Sequence, residues 1–168
     1  VMHEASNTII ESITNWMETF VEVPHPAFGN MPVCPYARQF RLANKVKIIE
    51  AKDNILEKAS EVAKNWDNNI EAVVVASDNL QIKNTEVHEK VQQMNKDYKS
   101  IDIVMLEDHP ESKEYIGGAC MNHGSLILIV IQRLSKLNKF SKGLRSTKYF
   151  DNWTQENLDD TVTWRFED

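Results

Sequence analysis

The sequence predicts an α/β chain, with α+β as the alternative, folded as one compact domain around a mixed sheet of four to five strands packed by helices. Three observations predict this. Strand-sized apolar runs alternate with segments whose apolar residues recur every three or four positions. Two of the most apolar runs, Ile101–Leu106 and Ser125–Gln132, follow each other with no helical segment between them, so that pair is expected to be antiparallel. The 168 residues suffice for a single core, and no repeat, low-complexity run or linker marks a second domain. The domain is taken as 1–168, with a core at about 6–140 and a peripheral C-terminal segment at 141–168.

Ser6 is a candidate N-cap, and Ile9, Ile10, Ile13, Trp16, Met17 and Phe20 behind it define one face of a first helix. Pro24, Pro26, Pro32 and Pro35 then forbid regular structure. Val46–Glu50 reads as a strand, and Asp53 is expected to cap a helix carrying Ile55, Leu56, Ala59, Val62, Ala63 and Trp66 on one face. Ala72–Ala76 reads as a buried strand. Asn84–Tyr98, with Val87, Val91, Met94 and Tyr98 at helical spacing, is a more polar helix. After the strand Ile101–Leu106 and a long loop comes the strand Ser125–Gln132, then a short helix at Leu134–Phe140 and a mixed, acidic tail.

Composition excludes several classes of function. The net charge of −6 opposes a polynucleotide backbone, whose binding rests on Lys and Arg neutralising phosphates, so no nucleic-acid partner is expected. No run approaches the length of a membrane span, and the start lacks the apolar core of a signal peptide, so a cytoplasmic protein is expected. Two widely separated cysteines make no disulfide framework and are read as free thiols.

The chemistry-bearing residues concentrate in the connection Asp108–Gly124, which carries two histidines, a cysteine, three acids and a Gly-Gly pair. Long connections of this kind inside compact domains are commonly functional. Glu107, Asp108, His109 and Glu111 fall where a strand ends, the usual position of ligands in open α/β sheets. There His109 suits a general base or a metal ligand, with Glu107 able to set its tautomer. Asp-His-Pro-Glu is equally a plain turn with solvated acids, and Glu111 is assigned no role. Cys34, restricted by Pro32 and Pro35, is a candidate nucleophile or ligand whose thiolate Arg38 would favour; the plain reading is a small packed residue. Cys120 and His123 form a Cys-x-x-His pair, and Cys34 and His109 could complete a tetrahedral zinc or iron site with them. Gly117 and Gly118 fit close approach to a ligand or a lid hinge, and Arg38 and Arg133 fit an anionic substrate.

Met31-Pro32-Val33-Cys34-Pro35-Tyr36-Ala37, His109-Pro110-Glu111, Gly117-Gly118, Leu126–Ile131 and Arg133 together resemble an uncharacterised bacterial family. Its members carry an Asn-Leu-Cys-Pro-Phe-Ala segment after an N-terminal helix and a later His-Pro-Asp loop. The resemblance spans about residues 8–140. The chain departs from it at Ser77-Asp78, where the family has a second His-Pro, and at Cys120–His123, which replaces an Asn-Arg-Ser-Pro loop. The family has no settled activity, so the resemblance implies where a site lies and supplies no reaction.

The expectation is a small soluble enzyme acting on a small, in one version anionic, metabolite, in a site walled by the Cys34 segment and the 108–124 loop. Hydrolytic, transfer and metal-assisted oxidative steps all remain open. The alternatives are a non-catalytic metal- or ligand-binding module and a homodimer or other homo-oligomeric interaction protein.

Overall fold

A computed structural model describes residues 1–167. Ser6 caps α1 (Asn7–Trp16), its hydroxyl accepting from the Ile9 N–H, and the helix widens into a π-helical turn at Met17–Val21. The proline-rich stretch is more ordered than its composition predicts. Pro24–His25 (β1) and Met31–Pro32 (β2) pair antiparallel around a 3₁₀ turn at Pro26–Phe28, and α2 (Ala37–Leu42) follows. Proline at the start of the 3₁₀ turn has no N–H to waste there, so the residues that exclude a long helix are compatible with this hairpin.

The main sheet is built by β3 (Val46–Ala51), β4 (Ala72–Ser77), β5 (Ile103–Asp108) and the late strand β8 (Ile127–Arg133), in the order β3-β4-β8-β5. The mixed four-stranded sheet agrees with expectation. β3 and β4 are parallel, whereas β8 is antiparallel to both its neighbours, so β3, β4 and β5 all run one way with β8 inserted between the last two. α3 (Ile55–Lys64) and α4 (Asn84–Asp97) make the crossovers and share one face. The N-cap of α3 is Asn54, not Asp53. The most apolar strand takes the interior place: Ile127, Leu128, Ile129 and Ile131 have no exposed surface.

The two sheet faces are covered differently. Ile49, Val73, Val75, Ile103, Met105, Ile127, Ile129 and Ile131 pack under Ile55, Ala59, Val87 and Val91 of α3 and α4. On the other face Ile48, Val74, Ala76 and Leu128 pack under Ile9 and Ile13 of α1 and Met17 of the π-helical turn. Both sheet edges are occupied. Glu4 bridges to Ile49 beside β3, while beside β5 the Asn95 amide exchanges hydrogen bonds of 2.8 and 3.0 Å with the Met105 backbone. These contacts take the place of an incoming strand.

The long connection is not structureless. Tyr115–Ile116 (β6) and Ala119–Cys120 (β7) form a hairpin turned by Gly117 and Gly118, both at positive φ. A two-residue turn of this hand needs such residues, which makes Gly-Gly a hairpin turn and not a lid hinge. The C-terminal stretch is not peripheral either. After α5 (Leu134–Leu144), longer than its apolar spacing implied, and α6 (Gln155–Thr161), it buries Tyr149, Val162 and Arg165.

Candidate functional site

The two irregular segments meet. Ala27 and Phe28 of the proline-rich hairpin share a cluster with Ile116 and Ala119 of the 108–124 connection and with Leu144 and Tyr149, and Val33 and Met121 pack against it. A Cβ on Gly117 would lie 2.9 Å from that of Ala27, so glycine also permits the close approach of the two. The Tyr149 hydroxyl donates to the Val33 carbonyl and ties the C-terminal stretch to the residue before Cys34.

The connection is organised by Asn122. Its Oδ1 accepts from the Glu114 N–H at 2.8 Å, and its Nδ2 donates to Asp108 Oδ1 at 2.7 Å, to the His109 carbonyl at 3.0 Å and to the Ser112 carbonyl at 3.1 Å. The other carboxylate oxygen of Asp108 accepts from the His123 N–H at 2.9 Å. Burial pushes the Asp108 carboxyl up, against the pull of these two donors, and burial also raises Glu114, with Asp160, Asp108 and Glu107 adding to its shift. His123 Nε2 lies 3.0 Å from the Ser12 hydroxyl on α1, and its Nδ1 accepts from the Ser125 N–H at 3.3 Å. This fixes the tautomer with its proton on Nε2, so His123 donates to Ser12. Burial lowers the His123 pKa. Ser12, His123 and Asp108 are the residue types of a hydrolytic triad, but Asp108 holds the backbone of His123 and not its ring.

Cys34, Glu107 and His109 all border one large cavity, but Cys34 approaches it from the α1 face of the sheet and the other two from the α4 face. His109 is 1% exposed; its Nε2–H donates to the Ile82 carbonyl at 2.7 Å, just ahead of α4, and its Nδ1 accepts from the Glu111 N–H at 3.1 Å. With both ring nitrogens engaged it has no lone pair for a substrate proton or a metal, and it braces the turn. Glu107 points to the α4 side and bonds His88. Cys34 packs in the cluster under α1, on the opposite face. Its thiol is pushed up by burial, outweighing the Tyr36 and Ala37 N–H groups, so the thiolate is disfavoured. Arg38, expected to support that thiolate, is exposed and lines a shallow surface depression with Glu18, Glu22 and Arg41. Arg133 sits at the far end of β8, opposite Ile103, and donates to the Ile101 carbonyl at 2.8 Å while covering Trp66.

The four expected metal ligands are likewise not assembled. Cys120 is exposed on the hairpin, His123 is bonded to α1, His109 is closed in on the α4 side and Cys34 packs under α1. Among the described residues no group of three or more His, Cys, Asp or Glu side chains is placed to hold an ion.

What the meeting of the segments creates is a cavity on the α1 side. Val130 and Gln132 of the interior strand β8 and Leu106 of β5 keep accessible surface, whereas Ile129 and Ile131 on the opposite face have none. The space above them is roofed by Cys34 and Tyr36, by Leu137 and Phe140 of α5 and by Tyr149 and Val162 of the C-terminal stretch, and it opens beside β5 between α4 and α6. Together the chamber and its open mouth have a volume of about 1410 Å³. Typical ligand sites measure roughly 300–1,000 Å³, so the space is ample for a small molecule. Asp108, Glu114 and Asp160 lie along it, with Arg165 and Ser141 in its wall.

Asn122, Ser12, Tyr149 and Arg165 escaped the sequence reading. Asn122 carried a local signal, being an amide in a glycine-flanked loop next to His123, but the other three act through contacts more than twenty residues away and left none. Against protein-family models, curated proteins and solved structures, the chain matches none.

Proposed function

We propose that this chain is a small-molecule-binding protein whose ligand, a largely apolar organic compound, occupies the cavity between the proline-rich segment, the 108–124 connection and the C-terminal stretch. One observation carries this reading: the interior strand β8 keeps accessible apolar surface at Val130 under a roof of Tyr36, Leu137, Phe140 and Tyr149. Interior strands normally bury such residues against a helix, and a concave, mostly apolar chamber with a few polar groups is the usual form of a ligand site. Binding fits better than catalysis because His109 has no free nitrogen and the Cys34 thiol is disfavoured as a nucleophile.

The test is a neutral solvatochromic dye, Nile red, with native protein and with Val130→Trp, which fills the chamber from its floor. Native protein is expected to enhance the dye fluorescence saturably at one site, and the variant to lose at least tenfold in affinity while remaining folded. Absence of saturable binding by native protein, or equal binding by a folded Val130→Trp, refutes the reading.

A further inference from the structure

Arg165 is a charged side chain buried in the C-terminal stretch. It is only 5% exposed, yet its Nε and Nη1 have no hydrogen-bond partner and no contact with bulk water. Nη2 donates to Ser141 Oγ at 3.0 Å, itself a buried hydroxyl on α5. Three N–H donors of a permanently charged fork are therefore desolvated with no acceptor. Burying a charge without a partner costs far more than burying a neutral polar group, and folded proteins relieve it with a counter-ion. Among the described residues none forms an ion pair with Arg165, and its charged and titratable neighbours are Tyr149 and the like-charged Arg145. Desolvation holds the guanidinium down at about 10, still protonated at neutral pH.

The surroundings limit what can supply the missing acceptor. Arg165 and Ser141 belong to the wall of the cavity, beside Leu137, Phe140, Leu144 and Val162. Trp153, another wall residue, has a buried indole N–H with no acceptor. The unmet demand is thus for an acceptor oxygen inside an apolar chamber. Asp108, Glu114 and Asp160 line the same space and disfavour a multiply charged anion such as a phosphate monoester. A single planar carboxylate matches one guanidinium in shape and charge.

We propose that Arg165 is the anchor of the cavity's ligand and that this ligand is an organic monocarboxylate carried on an apolar body. The inference rests on the cavity reading above and adds the ligand class to it. The carboxylate accepts from the free N–H donors of Arg165, and its aliphatic or aromatic part fills the space over Val130 and Leu106. No covalent step is involved.

The experiment compares matched pairs that differ only in charge, octanoate with octan-1-ol and 4-phenylbutyrate with 4-phenylbutan-1-ol, by calorimetric titration of the full chain. Native protein is expected to bind each carboxylate at least tenfold more tightly than its alcohol. In Arg165→Met, which fills similar volume without charge, the preference should vanish while alcohol binding persists. In parallel, the Arg165 Nε–H resonance of unsubstituted protein should move on adding carboxylate and not on adding alcohol, a readout independent of whether the variant folds. Equal binding of acid and alcohol by native protein, survival of the preference in Arg165→Met, or an unmoved Nε–H signal at saturation overturns the assignment and leaves the cavity reading standing. Failure of all four probes, together with Nile red, overturns both.

Discussion

Replacing Asn122 with alanine is the most incisive single perturbation of the loop architecture. The amide engages five groups, two at Oδ1, from the Glu114 N–H and more weakly from the Cys120 thiol at 3.7 Å, and three through one NH₂ that has only two hydrogens. One bond is charge-assisted, to Asp108, and bonds of that kind contribute about 1.5–3 kcal/mol, against about 0.5–1.5 kcal/mol for neutral ones. Asn122 is only half-buried, so water replaces part of what is lost. The expected destabilisation is about 2–3 kcal/mol, or a fall in Tm of about 5–10 °C for a chain of this size. Urea denaturation followed by tryptophan fluorescence measures it, as a lower midpoint with an unchanged slope. The variant should also push the Asp108 carboxyl further up, because a donor that holds it down is gone. A loss below about 0.5 kcal/mol would refute the claim that this amide organises the connection.

His123 is lowered by burial, so its contribution to stability is whole above the unfolded value of about 6.5 and is lost as pH falls from there towards the folded value. His123→Gln should flatten that part of the stability profile relative to native protein, leaving a residual slope from His3, which is also lowered. Asp108 and Glu114 are raised, so they act in the opposite sense: stability present below the unfolded carboxylate range is lost as pH rises through their folded values. Gly29→Ala should cost about 3 kcal/mol, since its φ is +64° and a Cβ would sit 2.5 Å from the Lys148 carbonyl oxygen. Gly118→Ala, at positive φ but in open space, should cost only about 1 kcal/mol; equal losses in denaturant would contradict this. Towards iodoacetamide at pH 8, exposed Cys120 should react at least tenfold faster than Cys34, whose thiol burial protects, and the two rates should converge in urea. Faster labelling of Cys34, detected by peptide mass, would overturn that order.

The parts of the fold that were legible came from local periodicity. The helix of Ile9, Ile13 and Met17, the strands at Val46 and Ala72 and the antiparallel pairing of the two late strands follow from apolar spacing and from the absence of a crossover helix. The proline-rich segment and the Gly-Gly loop were located correctly as the two pieces that converge, but their small hairpins escaped notice because two-residue strands have no periodicity to read. Asn54, not Asp53, holds the N-cap position of α3, without a capping hydrogen bond: its Oδ1 accepts from the Lys52 N–H in the preceding turn.

By itself the sequence determined the order of the four sheet strands and of the longer helices, the single α/β core and the choice of β8 as the most apolar strand, since each is dictated by the side-chain pattern of its own segment. Only the tertiary structure decided that Cys34 and His109 lie on opposite faces of the sheet, that β8 inserts between β4 and β5, and that Arg165 enters the wall of the cavity. The reason is that a residue's face depends on strand register and on where distant chain returns. The C-terminal stretch closes a surface formed by strands well before it in the chain, and no local spacing encodes that return.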